Sequence, residues 1–501
     1  MSAVASRAER TWTAARLKRF IERAFPRQSI FIVSDSEPVR HVREAQAVRS
    51  VRPASGLVTA LEPIALASSG VWVARASGDA DQATGERVDL PEDDPTYTLR
   101  RIHLDPAEVA GYYQGFSNQA LWPLCHMVHE RPVLRHDDWD RYQAVNATFA
   151  GVVLEEIEKA EAPVILVQDY HLALLPALVR RERPDARIAL FWHIPWPNAE
   201  TFSICPWQEE ILLGMLGADL IGFHTPQFCH NFLATVGRAV AARIAWSPPA
   251  VVRPQRVTRV RALPIGVPLD EAVGRGPRPP AFLTELRSSV ELLGLGVDRI
   301  DYTKGLPERL HAIRRFFERC PEYRRRLVFL QIAVPSRDAI ARYRQLRAEV
   351  QDTARRINAE QEDRGWQPIV YLEGCLDRSE LLACYRTADF CLVSSLQDGM
   401  NLVAKEFVAS RDDGDGVLIL SRFAGAAREL SAALLINPYD VEDTARAIQD
   451  ALEMAADERR RRMGRMRAHV RRHNAYRWAA RLLAALARTG DRPGGPPRPG
   501  P

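Results

Sequence analysis

Seven cysteines among 501 residues, at positions 125, 205, 229, 320, 375, 384 and 391, are an odd number and form neither a CxxC pair nor a compact cysteine/histidine cluster. That scarcity excludes a disulfide scaffold and a cysteine-rich zinc site, and the thiols read as reduced, in a reducing compartment. Excess charge is also lacking. Lys and Arg number 68 against 63 Asp and Glu, and a net charge of +5 is too small at this length to demand nucleic acid or an anionic membrane. Any anion binding must therefore be local. No uninterrupted apolar run is long enough to span a bilayer. The N-terminus, MSAVASRAERTWTAARLKRFIERAF, scatters charge where a secretory signal needs a continuous apolar segment. The expected location is the cytoplasm.

What the chain does have is 46% hydrophobic content, enough at 501 residues for two or more cores. Short apolar, β-branched runs alternate with longer helical patterns, the form of buried parallel strands in βαβ units. In the first half the runs are SIFIVS, APVILVQDY, ARIALFWHIP, ADLIGFH and VRALPIGV. In the second they are VELLGLGVDR, LVFLQIAV, PIVYLEG, ADFCLVSS, GVLILS and AALLINP. The predicted fold class is α/β, with two doubly wound Rossmann-like domains facing across a cleft at the carboxyl ends of their strands. Residues 1–28 read as a helical extension, 29–270 as the first domain and 271–487 as the second, its last helix packing back on the first. The Pro- and Gly-containing stretch 270–282 reads as the linker, and 488–501 as a disordered tail.

The segment VDRIDYTKG places Arg299 and Lys304 five residues apart at the end of a strand-like run, where two cations suit a diphosphate. Taken alone, such a pair is more often solvated loop charge. The segment SLQDGMNLVAKEF changes the balance, because a glycine turn leads there into a helix opening at about Asn401 or Leu402, and free amides at a helix N-terminus bind anions. Asp398 before that turn and Glu406 one turn into the helix are placed to accept sugar or ribose hydroxyls. Together these features describe a nucleotide-diphosphate-sugar pocket. In the first half, Asp169 and His171 follow one strand and His193 follows the next, the position of binding residues in such folds, although a lone strand-end histidine is as often structural. Asp413-Gly-Asp-Gly precedes a strand where a phosphatase motif should follow one, so it reads as a loop, and a fused phosphatase domain is not expected. The basic run ERRRRMGRMRAHVRRH lies in a helical pattern and reads as a solvated face. His126 and His129 have no further metal ligand at suitable spacing.

With these residues in view, the chain closely resembles the trehalose-6-phosphate synthase family, whose two-Rossmann-domain fold is called GT-B. The matching segments include YYQGFSNQALWPLCH, VQDYHL, HIPWP, LPIGV, GVDRIDYTKG, DGMNLVAKEF, FAGAARELS and INPYD, in order over roughly residues 29–485. The resemblance implies that Arg299 and Lys304 bind the donor diphosphate, Glu406 the ribose and Asp398 the donor glucose hydroxyls. It further implies that the backbone at Leu402 and Val403 meets the phosphates, that His193 lies beside the donor sugar and that Gly56 belongs to a glycine loop closing over the phosphates. On the acceptor side it implies Tyr113, Trp122 and Arg337 around a phosphorylated glucose, with Asp169 on its hydroxyls. It makes the first domain acceptor-binding and the second nucleotide-sugar-binding.

Two departures from the family pattern fall on the acceptor side, and a milder one is Gln397, where the family has an arginine before Asp-Gly. The first strand usually ends Ser-Asn-Arg, with the arginine near the acceptor phosphate, and here reads Ser34-Asp35-Ser36. The second tryptophan after the glycine loop is Arg75 here, while Trp72 is kept. The expected reaction is retaining, metal-independent transfer of glucose from a nucleotide-glucose, UDP-glucose as the leading choice, to glucose 6-phosphate, with no cofactor. Transfer to glycerol 3-phosphate, as in glucosylglycerol-phosphate synthases, and a non-catalytic homologue that senses sugar phosphates stand as alternatives. The expected partners are a nucleotide sugar and a sugar phosphate, with neither nucleic acid nor a membrane. A homo-oligomer is left open.

Overall fold

Runs of β-branched and aliphatic residues with apolar side chains on both faces can satisfy themselves only as central strands covered by helices, and the chain uses them so. The computed structural model describes residues 11–44, 47–53, 56–269 and 279–490. The sequence readings that fall on 1–10, 270–278 and 491–501 lie outside the described residues. Two compact units are present, one of residues 1–265 with 475–501 and one of residues 266–474.

The first unit holds strands β1 (Ile30–Ser34), β2 (Arg40–Glu44), β3 (Ala47–Val51), β4 (Val71–Arg75), β5 (Arg87–Leu90), β6 (Tyr97–Ile102), β7 (Val164–Gln168), β8 (Arg187–Phe191), β9 (Leu220–Phe223), β10 (Arg243–Trp246), β11 (Pro249–Arg253) and β12 (Arg256–Ala262). Ten of them form one sheet in the order β10-β11-β12-β9-β8-β7-β1-β4-β6-β5, and β2 with β3 makes a separate hairpin. From β12 to β6 every pairing is parallel, and antiparallel strands close both edges. The chain leaves β1 first toward β4 and later toward β7, so the strand order reverses between β1 and β7. Helix Ala14–Ala24 buries Leu17 and Ile21, is capped by the Thr13 hydroxyl accepting from the Arg16 amide, and packs on helices Gly56–Ser68 and Ala475–Ala487. Arg488–Gly490 continues that last helix as a 3-10 turn, so the tail read as disordered has three ordered residues at its start.

The second unit holds β13 (Leu292–Arg299), β14 (Leu327–Val334), β15 (Ile369–Glu373), β16 (Phe390–Val393), β17 (Val417–Ser421) and β18 (Leu434–Ile436). They form one all-parallel sheet in the order β15-β14-β13-β16-β17-β18, the order of a nucleotide-binding Rossmann sheet, reversing between β13 and β16. The fold class read from the sequence, α/β with two doubly wound sheets, is the one observed. In such sheets ligands bind beyond the carboxyl ends of the strands flanking the reversal, so residues just after β1, β7, β13 and β16 are the ones to inspect. None of the described helices is long and apolar enough to cross a membrane.

The sequence runs missed β4 to β6, and β6 shows why. Its Arg101 is fully buried, with Nε donating to Glu37 Oε2 at 2.9 Å and Nη2 3.1 Å from Asp81 Oδ1. A buried charge of this kind is held only by its partners. Arg101→Met is expected to lower unfolding stability by about 3–5 kcal/mol, because it removes the buried counter-charge of Glu37 and Asp81, which keep their bonds to Ser77 and to the His41, Ser77 and Gly78 amides. Urea unfolding checks this, and a loss below about 1 kcal/mol would show that the ion pairs are not what holds this edge.

Candidate active site

In the second unit the polar residues that follow β13 and β16 are bonded into one cluster. Arg299 is the last residue of β13, and a 3-10 turn over Tyr302–Lys304 follows, capped by the Asp301 carboxylate, which accepts from the Thr303 amide at 3.0 Å. Gly305 then takes a left-handed φ of 62°, and a Cβ there would meet the Ser394 carbonyl at 2.4 Å, so only glycine lets the chain turn this tightly into helix Leu306–Arg319. Asp301 is fully buried. Burial pushes its carboxyl up, but the charges of Arg337, Arg299 and Lys304 outweigh that and hold it below the usual carboxylate range. Arg337 Nη1 donates to Asp301 Oδ2 at 3.2 Å. One of the predicted cations is thus bonded to a carboxylate that the sequence reading did not single out, and the charges of two others act on it.

Lys304 reaches the other side of the strand reversal, where its Nζ donates to Asp398 Oδ2 at 2.6 Å. Asp398 Oδ2 also accepts from Ser395 Oγ and Asn401 Nδ2, each at 3.2 Å. The same Asn401, at a left-handed φ of 77°, caps helix Leu402–Ser410 by accepting from the Ala404 amide at 3.0 Å. The amides of Leu402 and Val403 open that helix and lie outside its internal bonding, which makes its end an anion site. The turn at 398–400 is clamped from below, with Gly425 N donating to the Asp398 carbonyl at 3.2 Å and Ala426 N to the Met400 carbonyl at 2.7 Å. A Cβ on Gly425 would meet the Gly399 carbonyl at 2.1 Å. Glu406 is partly buried and accepts from the Tyr385 hydroxyl at 3.1 Å, and burial raises its carboxyl. Beneath all of this, buried Arg309 bonds Asp298 at 2.5 Å and Ser394 Oγ at 2.9 Å.

In the first unit Asp169 follows β7 and His193 follows β8. Asp169 has a φ of 70°, a conformation a non-glycine residue keeps only when its surroundings enforce it. Here its own amide donates to the Phe191 carbonyl at 2.7 Å while its Oδ1 accepts from the His193 amide at 3.0 Å. The His193 ring packs against Phe191, His224 and Trp478, and its Nε2 lies 3.0 Å from Gln168 Oε1. Burial, reinforced by His224, pushes its imidazole well below the usual histidine range, so it is neutral. With Gln168 accepting, Nε2 carries the ring proton.

Tyr113 lies in the segment Val109–Leu121, which is π-helical, and Trp122 opens the helix Trp122–His126 into which it runs. The Asn118 and Gln119 side chains each donate to the carbonyl five residues back. Tyr113 stacks on His171 with centroids 5.7 Å apart and planes 10° apart, whereas Trp122 is buried against Tyr170 and His126. His126 Nδ1 lies 2.8 Å from the Trp122 carbonyl, a structural contact. Gly56 is the first residue of its helix. Of the residues singled out, Arg299, Lys304, Arg337, Asp398, Leu402, Val403 and Glu406 lie in the second unit, and Gly56, Tyr113, Trp122, Asp169 and His193 in the first.

A family model, glycosyltransferase family 20, matches residues 28–488. The trehalose-6-phosphate synthase of Mycobacterium avium (strain 104) is 40% identical over 456 residues, covering 88% of this chain and 92% of its own length. Among solved structures, the E. coli trehalose-6-phosphate enzyme bound with UDP-2-fluoro glucose superposes with a TM-score of 0.82 at 30% identity, over 92% of this chain and 99% of that one. The α,α-trehalose-phosphate synthase (UDP-forming) of Burkholderia xenovorans in complex with glucose-6-phosphate gives a TM-score of 0.81 at 33% identity, over 91% and 99%.

The neutrality of His193 has a direct readout. Because its folded value is depressed, it stays unprotonated as pH falls through the usual histidine range, and NMR of the ring protons should show the His193 midpoint displaced well below that of an ordinary histidine. A midpoint near the ordinary value would place it in contact with water or with a carboxylate and contradict the packing described.

Proposed function

Because the chain belongs to glycosyltransferase family 20, we propose that it is a trehalose-6-phosphate synthase, moving glucose from UDP-glucose to glucose 6-phosphate and releasing UDP and α,α-trehalose 6-phosphate. The observation that carries this reading is the bonding of Lys304 to Asp398 and of Asp398 to Asn401, which caps the helix opening at Leu402, next to Arg299 at the end of β13, at the strand reversal of a Rossmann sheet. Relatives named as UDP-forming synthases, one solved with UDP-2-fluoro glucose and one with glucose-6-phosphate, favour these substrates over the glycerol-phosphate and sensing alternatives. In this reading the first unit binds the acceptor and the second the nucleotide sugar, and the seven free cysteines suit the cytoplasm.

Breaking the sugar–phosphate bond builds positive charge on the ring and negative charge on the departing diphosphate, so the residues required are fixed dipoles and cations. Arg299, Lys304 and the Leu402 and Val403 amides take the diphosphate charge, which makes transfer independent of a metal ion. Asp398 and Glu406 hold donor hydroxyls, on the glucose and the ribose respectively. Retention follows if the acceptor oxygen bonds to the anomeric carbon on the face the diphosphate leaves, with the acceptor's proton passing to the leaving phosphate oxygen. His193, whose basicity burial lowers, then positions the donor, since the leaving phosphate oxygen takes the acceptor's proton. Gly56 stands by the donor phosphates, with Tyr113, Trp122, Asp169 and Arg337 on the acceptor.

An end-point assay of nucleotide diphosphate release, crossing UDP-, GDP- and ADP-glucose with glucose 6-phosphate, glycerol 3-phosphate and free glucose, tests the substrates. Release should be fastest with UDP-glucose and glucose 6-phosphate, and a preference for glycerol 3-phosphate would overturn the acceptor assignment. Arg299→Ala and Lys304→Ala should each weaken UDP binding about ten- to hundredfold, the worth of a charge-assisted hydrogen bond. Calorimetry showing unchanged UDP affinity in both would remove the diphosphate role. EDTA should leave turnover intact, and activity lost to chelation and restored by magnesium would overturn the metal-independent scheme.

A further inference from the structure

The two departures at the acceptor side are physically one feature. Asp35 directly follows β1 and Arg75 ends β4, and because these strands pair in parallel the two residues are neighbours across the ladder, with Arg75 N donating to the Asp35 carbonyl at 3.2 Å. Their side chains form a bidentate pair, Nε to Oδ1 at 2.9 Å and Nη2 to Oδ2 at 3.0 Å. Burial pushes the Asp35 carboxyl up, but the Arg75 guanidinium, with His171 behind it, outweighs this and holds it ionised. The guanidinium lies over the Tyr113 ring with Cζ 4.8 Å from its centroid, and Tyr113 in turn stacks on His171.

This arrangement fixes Arg75 in one orientation. A guanidinium carries five N–H groups, and the pair with Asp35 uses one on Nε and one on Nη2, leaving the Nη1–Nη2 end for a further anion. The side chain keeps 12% exposure. Arg75 ends β4 beside β1, at the carboxyl end of the sheet where ligands of such folds bind. The other basic residues of the first loop are placed differently. Arg52 pairs with Glu62 at 2.7 Å and Arg40 begins the exposed edge of the β2–β3 hairpin. Arg337, placed on the acceptor in the reading above, belongs to the second unit, where it is bonded to Asp301.

We propose that Arg75, oriented by Asp35 and stacked on Tyr113, is the cation that binds the acceptor's phosphate in this chain, in place of the arginine that relatives carry at the position of Ser36. Asp35 is a positioning residue. The inference rests on the reading of a phosphorylated acceptor made above.

Arg75→Gln should raise the KM for glucose 6-phosphate about ten- to hundredfold, with the KM for UDP-glucose within about twofold of wild type. Inorganic phosphate should compete with glucose 6-phosphate in the wild type and lose that effect in the variant. Because Arg75→Gln leaves a buried carboxylate unpaired, the double variant Asp35→Asn/Arg75→Gln removes both charges and should show the same acceptor defect in a folded protein. Adding Ser36→Arg to that double variant should restore much of the acceptor affinity, a rescue that a merely structural pair would not give. An unchanged acceptor KM in the double variant overturns the proposal. If the wild type instead prefers glycerol 3-phosphate and its KM shows the same dependence on Arg75, the phosphate site stands and the glucose 6-phosphate reading falls. If free glucose serves the wild type as well as its phosphate, both fall.

Discussion

The buried carboxylate of Asp301 is the point on which the second unit's chemistry depends. Arg299 and Lys304 follow β13 and Arg337 follows the neighbouring β14, and like charges brought to adjacent strand ends repel unless a negative charge offsets them. Asp301 does this with Arg337, Arg299 and Lys304, and the same side chain folds the turn that presents Lys304 by accepting from the Thr303 amide. From Lys304 the bonding runs on to Asp398, to Asn401 and so to the first turn of helix Leu402–Ser410. Cations, hydroxyl acceptor and helix N-terminus are therefore tied into one connected network before any substrate arrives. A preorganised site of this kind does not have to reorganise its charges as the diphosphate departs.

The first unit solves a different problem with the same topology. Its strand ends carry a paired Asp35 and Arg75, an Asp169 bonded to the His193 amide, and a histidine kept neutral by burial. Nothing in that set is suited to stabilising a leaving diphosphate. It is suited to holding hydroxyls and one phosphate in a fixed place, with aromatic faces from Tyr113 and His171 beside them. The division of labour proposed for the two Rossmann sheets rests on which charges each strand reversal keeps.

Much of this could be read from the sequence, for reasons that differ from residue to residue. The runs VILVQ and LVFLQIAV announce central strands because both faces are apolar, and Arg299, Lys304 and the Asp-Gly-Met-Asn turn announce a phosphate site because each stands next to such a strand. What stayed hidden depends on distant partners. The YTLRRI run of β6 hardly reads as a strand, since its buried Arg101 is paired with Glu37 and Asp81, far away in the chain. Asp301 lay in plain view within VDRIDYTKG, yet its role appears only once Arg337 folds back onto it. Arg75 read as a lost tryptophan, and the carboxylate forty positions earlier that orients it is invisible without the β1–β4 pairing. The π-helix over Val109–Leu121 has no periodic signal of its own, because side-chain bonds from Asn118 and Gln119 are part of what sustains it.

The account makes preorganisation the central property of the nucleotide-sugar site, and UDP affinity in Asp301→Asn tests it most directly. Removing that negative charge makes the site more positive, so simple attraction alone would tighten UDP binding. If Asp301 instead aligns the cations, the variant should bind UDP about tenfold or more weakly, even though the attraction has grown. Isothermal calorimetry on a variant that keeps a cooperative melting transition decides between the two. Weaker binding is the result the account predicts, and tighter binding would contradict it.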